Sequence, residues 1–355
     1  MEANWKQLLA LVWFAALVLG GTLLIFGRDV LLPFFVAVLL WYFIDATASA
    51  IGNLRLAARA LPRWLCRTFS LVGIASVLYV VGALASANIA AVYDAAPLYK
   101  SNIEKLSARL SEALGIESRL DITALVRDID FVPYLQDLAL GLANIAGVSM
   151  LVALYVVFLL IEQHSFSAKI KAIFPNQPAR QRVEMLLSQM QNRLETYIWI
   201  KTLMSLLTAI ASYAVLLLVG VDYAAFWALL IFLLNYIPTI GSLLATAFPT
   251  LLALVQFDSF APGIFVLAGC GAIQFLVGSI LEPRIAGNRL NISPLVVLLS
   301  LAVWGSIWGI AGMFLAMPIT VMLVIVLAHF PATRPIAILL SSEGQVDIPE
   351  PGRDS

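Results

Sequence analysis

Charge is what this sequence has least of. Asp, Glu, Lys and Arg make up 12% of its 355 residues, and 62% are hydrophobic. A soluble domain carries about twice that charged fraction, so a water-soluble globular fold is excluded. Lys plus Arg and Asp plus Glu balance at 21 each, and no basic tract points to a nucleic acid as partner. Cysteine and histidine are nearly absent, two of each. Cys66 and Cys270 lie far apart, and His164 and His329 stand at predicted helix ends. That leaves no disulfide framework, no metal motif and no reason to expect a cofactor. An intramembrane enzyme needs a nucleophile with a base, or paired His and carboxylates, and the chain groups no such residues for catalysis. The pattern GxxxxGK[ST] does not occur, so a built-in ATPase is excluded and no ATPase subunit is implied.

What is present is long apolar sequence. No charged residue falls in 7–27, 30–44, 68–93, 138–161, 202–221, 223–257, 259–281 or 290–333. A hydrocarbon core of ~30 Å takes ~20 apolar helical residues. Most of these runs fit one span each, and 30–44 extends through the uncharged stretch after Asp45. Alternating polar patterning is missing, which argues against an outer-membrane barrel. The first run begins near Trp5 after a single Lys and lacks a small-residue cleavage site, so it reads as a retained span.

Positive charge orients the chain. With both termini cytoplasmic, 15 Lys/Arg fall inside and 6 outside. Segment 94–137 is then outside, and 46–67, 162–201 and 282–292 are inside. The outer segment repeats apolar residues at helical spacing, Ile103, Leu106, Leu110 and Ala113, then Ile122, Leu125, Val126 and Ile129. It reads as a small amphipathic helical subdomain, either a packed cover or a gate. Inside, Pro178 suits a first helical turn. Val183, Leu186, Leu187, Met190, Leu194 and Tyr197 follow as one stripe, which either lies at the interface or packs beneath the bundle.

Two runs are too long for one span. In 223–257 the sequence NYIPTIG at 235–241 interrupts the helix, through the missing amide of Pro238 and the freedom of Gly241. In 290–333 Gly305, Gly309 and Gly312 do the same. The second arms carry Pro249 and Pro318. The halves are shorter than a span and suit re-entrant hairpins. In the assigned orientation one hairpin enters from outside and the other from inside. Span plus hairpin thus occurs twice, inverted, as in many secondary transporters. Packing kinks are the alternative.

The polar groups near these breaks are hydroxyls and amides: Asn235, Thr239, Ser242, Thr246, Gln274, Ser279 and Ser306. Such a lining suits a neutral, hydroxyl-bearing solute. A second constellation, ILEPRIAGNRLNISP at 280–294, places Glu282 and Arg284 at the inner end of a span. Pro283, Gly287 and Pro294 turn the chain there. Glu282 and Arg284 are either an interfacial ion pair that ends the helix or a gate with a coupling carboxylate.

NYIPTIGSLLATAFP at 235–249 and the segment from Ile280 to Thr320 resemble the signature segments of the autoinducer-2 exporter family. LLPFFVAVLL at 31–40 and YIWIKT at 197–202 extend the resemblance over most of the chain. It implies a polytopic bacterial inner-membrane transporter, working as a homo-oligomer, that exports autoinducer-2, a small furanone-derived polyol. Other members are linked to sodium/proton exchange. Carried over, the matched positions are Asn235, Pro238, Gly241, Glu282, Pro283, Arg284, Gly287 and Pro294. Relatives often have Asn-Pro where the second span ends, and here Asp45-Ala46 stands.

The expected fold is an all-α membrane protein with about six spanning helices, two re-entrant hairpins as an inverted repeat, and the outer subdomain. Its expected parts are scaffold spans 1–93, subdomain 94–143, a span and amphipathic helix 144–196, transport core 197–330 and tail 331–355. Export of a small polar solute is the leading function. A sodium (cation)/proton antiporter and a non-transporting structural membrane protein are the alternatives.

Overall fold

A computed structural model describes residues 2–53, 131–257, 259–286 and 291–344, with isolated positions between 65 and 105. The apolar pattern expected of the outer subdomain, most of 68–93, Cys66, Asp258 and Gly287 lie outside the described residues.

The described residues form helices joined by turns and short irregular connections. In chain order the helices are α1 (Glu2–Phe26), α2 (Arg28–Asn53), α3 (Phe131–Ile173), α4 (Gln177–Val219), α5 (Ala224–Leu234), α6 (Ile240–Gln256) and α7 (Phe260–Phe275). A π-helical segment (Leu276–Leu281) leads into α8 (Glu282–Ala286), followed by α9 (Pro294–His329) and α10 (Arg334–Leu340). Five stretches among the described residues are long and apolar enough to cross a membrane: Arg28–Ala48, Val148–Ile173, Gln177–Val219, Phe260–Ile285 and Pro294–His329. Their outer faces are apolar too, with Ile161, Leu218 and Phe265 left 64%, 88% and 67% exposed. Side chains of this kind have lipid as their solvent, because a helix satisfies its own backbone there.

Two helices outrun the sequence reading. The stripe from Val183 to Tyr197 and the run 202–221 belong to one 43-residue helix, α4. Pro178 starts it, and no Gly or Pro follows before Gly220, so nothing breaks it. At 1.5 Å per residue α4 is ~64 Å long, about twice a bilayer core. Helix α3, also 43 residues, runs continuously through the expected boundary at 143 and 144.

The chain forms two compact units. The first comprises 1–45, 147–196 and 288–355, and the second 46–146 and 197–287. The segment 197–330 therefore contributes to both.

In the second unit α5 and α6 are the arms of the first break. They are 11 and 17 residues long, about 16 and 26 Å. The turn between them is tight. Ile240 N–H donates to Pro238 O at 2.6 Å around Thr239, whose φ is 60° and ψ −61°. This is a γ-turn in its strained, positive-φ form. Gly241 closes the tip: a Cβ there would stand 1.8 Å from Leu234 O. At the far end the arms are tied together. Gln256 Nε2 donates to Gly220 O at 2.8 Å, and its Oε1 accepts from Asp222 N–H at 2.7 Å. Asn102 Nδ2 donates to the Gln256 carbonyl at 2.9 Å. Small residues let α6 and α7 close up, with Ala245 and Ala253 buried and Gly263 against Leu254.

In the first unit α9 carries the second break at Gly309, with φ 63° and ψ −143°. A Cβ on Gly312 would stand 1.9 Å from Trp304 O. Trp308 packs at this bend against Phe35 of α2, and with Leu315 and Ile319 it forms a cluster that Leu31 and Leu39 of α2 also join. Its Nε1 donates to Leu24 O at 3.0 Å, one of the carbonyls that the end of α1 leaves open. Here α10, which packs on the end of α9 through Ala337 against Val324 and Ala328, is tied to the start of α9. Helix α10 folds back so that Ser293 N–H donates to Leu340 O at 3.0 Å, and Ser342 Oγ donates to Asn291 Oδ1 at 2.8 Å.

Candidate functional site: a polar face on α4

The second unit gathers polar side chains on one face of α4. Lys201, Ser205, Thr208 and Ser212 are spaced by four, three and four residues and are all buried. That spacing keeps them on one side of a helix. Thr208 Oγ1 donates to Met204 O at 2.8 Å, which satisfies its proton and leaves its lone pairs open. Ser212 Oγ is buried, with the buried Cys270 thiol as its polar neighbour. An apolar helix in lipid has no need of this face. Buried polar groups are normally partnered; Thr208 meets that need within its own helix, and Ser212 has the Cys270 thiol beside it.

The first break meets this face. Asn235, at the end of α5 and 7% exposed, donates through Nδ2 to Ser205 Oγ at 3.3 Å. The next residue, Tyr236, makes a 2.7 Å bond to Thr202 Oγ1. Because the Thr202 hydroxyl already donates to Ile198 O at 2.7 Å, the Tyr236 hydroxyl is the donor here. The break and α4 are thus joined at two successive residues.

The other sequence-selected residues divide. Thr239 is exposed, Pro238 half-buried and Gly241 buried under the tip. Ser242 Oγ donates to Thr239 O at 2.9 Å, and Thr246 and Thr250 repeat the pattern one and two turns on. Those hydroxyls spend their protons on their own helix and keep acceptor capacity. Gln274 is half-buried on α7, and Ser279 is exposed. In the second break Gly305 is half-buried against Met313, Gly309 is exposed at the kink, and Gly312 and Pro318 are buried. Ser306 is exposed and donates to Val303 O. Pro294 opens the first turn of α9, where a missing N–H costs nothing.

The Glu282 constellation requires a correction. Glu282 pairs with Lys201, not with Arg284. Lys201 Nζ donates to its two oxygens at 2.8 and 3.0 Å. The side chains are 8% and 26% exposed. Arg284 and Pro283 are exposed. Residues two apart on a helix point to opposite sides, so Glu282 and Arg284 do not face each other on α8. The π segment sets the direction of Glu282, whose N–H bonds back to Val277 O, five residues earlier.

One turn before Lys201 on the same face stands Tyr197, whose buried hydroxyl has no partner. Sequence reasoning had placed Tyr197 in an apolar stripe and counted Lys201 as one more cytoplasmic charge. The signal was the recurrence of Lys201, Ser205, Thr208 and Ser212 at helical spacing within an otherwise apolar run.

A family model described as AI-2E family transporter matches residues 10–332. A protein of Haemophilus influenzae, named for transport without a stated cargo, is 32% identical over 355 residues, covering 96% of this chain and 98% of its own. The AI-2 transport protein TqsA of Escherichia coli is 31% identical over 321 residues, covering 89% of this chain and 90% of its own. A transport-named protein of Borreliella burgdorferi is 34% identical over 223 residues, 61% of each chain. The chain therefore belongs to the AI-2E family of transporters, multi-pass helical proteins of the bacterial inner membrane that are not enzymes.

Proposed function

We propose that this transporter is a secondary exporter of a small polar solute, with autoinducer-2 as its first candidate cargo. The observation that carries the reading is the contact of the first break with the buried polar face of α4, Asn235 on Ser205. From Lys201 to Ser212 that face is ~16 Å long at 1.5 Å per residue, about half of a bilayer core. Irregular backbone at such depth is tolerated where it is buried in protein or lines a watery path, and broken helices form solute sites in secondary transporters. The cargo is suggested by the Escherichia coli relative's name, and amide and hydroxyl groups suit a polyol.

Both breaks are read as re-entrant hairpins. The Gln256 bonds to Gly220 and Asp222 join the beginning and end of the first broken element, and the Ser293 bond to Leu340 ties the start of α9 to α10, which packs back on the end of α9; both support this. Asn102, from the segment assigned outside, bonds the base of the first hairpin, as an outer entry requires. The hairpins are then read as an inverted repeat, in a chain with about six spans. Both termini are cytoplasmic by the 15-to-6 split of basic residues. The first 160 residues act as scaffold, 197–330 moves or gates, and the resemblance implies a homo-oligomer.

Flux through purified protein in liposomes tests the reading, with autoinducer-2 and sodium compared under an imposed pH gradient. Autoinducer-2 flux without sodium exchange supports it. Sodium/proton exchange without autoinducer-2 flux favours a cation/proton antiporter, for which the observation is the half-buried carboxylate of Glu282. Absence of both fluxes leaves a structural membrane protein.

A further inference from the structure

We propose that Tyr197, Lys201 and Glu282 form a binding site for adjacent hydroxyl groups of a neutral solute, one to two turns of α4 before Ser205. The proposal rests on the transport reading above and adds a second station to Asn235. Its starting point is the Tyr197 hydroxyl, buried and without a hydrogen-bond partner. The whole residue is 6% exposed. Its electrostatic neighbours are Glu282 and Tyr236, and the Tyr236 hydroxyl is already committed to Thr202.

The unused valences around it are complementary. An ammonium has three N–H groups, and the Lys201 bonds shown both go to Glu282. Each Glu282 oxygen accepts one of them and keeps a lone pair. The Tyr197 hydroxyl adds one donor and one acceptor. A vicinal diol can give two O–H protons to the carboxylate and offer its oxygens to the ammonium and the phenol. The ion pair is neutral as a unit. An incoming cation meets Lys201 and an incoming anion meets Glu282, so neither gains what a neutral polyol gains. Arg284, the next charge along α8, is exposed.

Tyr197→Phe removes one oxygen and keeps the ring. In liposomes carrying autoinducer-2, the variant should raise KM about tenfold and leave kcat near wild type. Its melting temperature should hold or rise, because an unpartnered buried hydroxyl has been deleted. The double change Lys201→Met with Glu282→Leu removes both charges without stranding either, and should fold while losing at least as much affinity. An unchanged KM in Tyr197→Phe overturns the site and assigns the hydroxyl to a bridging water, while wild-type flux still upholds the transport reading. Wild-type protein that carries no autoinducer-2 overturns that reading, and the site falls with it.

Discussion

The Lys201 ammonium donates to both carboxylate oxygens of Glu282 across 81 positions of sequence. Removing one partner strands the other charge, at a cost of about 3–5 kcal/mol for fully buried pairs. Glu282 is 26% exposed, so the lower end of that range applies. Lys201→Met and Glu282→Gln should each lower stability and flux, and the swapped pair should recover part of both. A double-mutant cycle should give coupling of ~1 kcal/mol or more for Lys201 with Glu282 and near zero for Arg284 with Glu282. Additive effects at Lys201 and Glu282, read by unfolding in detergent, would count against the pair.

Gly241 and Gly312 occupy matching places in the two breaks. A Cβ would stand 1.8 Å from Leu234 O on one and 1.9 Å from Trp304 O on the other. The obstacle is backbone, so Gly241→Ala and Gly312→Ala should cost more than the ~1–3 kcal/mol of ordinary overpacking. Gly278, with nothing within 4 Å, should accept Ala without loss. Equal melting temperatures for all three variants would mean that the tips adapt freely. Pro238→Leu should leave membrane insertion intact and reduce transport, because added apolarity favours insertion while a continuous helix erases the tip.

The breaks were legible because Pro and Gly act locally: Pro238 removes a donor, and Gly309 takes a backbone angle that side chains resist. The arms 224–234 and 240–256, and the kink at Gly309, lie where those residues put them. The Lys201–Glu282 pair was not legible. A charge at the end of an apolar run looks the same whether it ends in water or reaches back to another helix. Proximity in sequence suggested Arg284, but helical geometry turns it away. The continuity of α4 was missed for a related reason: a change from amphipathic to wholly apolar sequence marks a change of solvent, not a break in the helix.

Topology is open to direct labelling. In a background lacking Cys66 and Cys270, cysteine at position 111 should react with an impermeant maleimide in intact cells. Cysteine at Ser342, which is exposed beside buried Ser341, should react only after lysis. The opposite pattern would invert the orientation and with it the side from which each break enters.

Asn235 is the tip residue expected to touch solute. An amide has two N–H donors and a carbonyl acceptor, and the bond to Ser205 uses one N–H at 3.3 Å. The remaining donor and acceptor sit at the junction of the break with the polar face of α4, with little water, since Asn235 is 7% exposed. Losing one hydrogen bond to a buried polar ligand costs roughly 1–3 kcal/mol. Asn235→Ala should therefore weaken autoinducer-2 binding about tenfold or more. Ser205→Ala separates contact from support. It removes the partner and leaves the amide, so its loss should be smaller if Asn235 binds solute itself. Equal losses would make Asn235 a positioning residue held by Ser205. Unchanged binding and flux in Asn235→Ala would take the tip out of the solute path, and sodium/proton exchange abolished by that change would favour the antiporter.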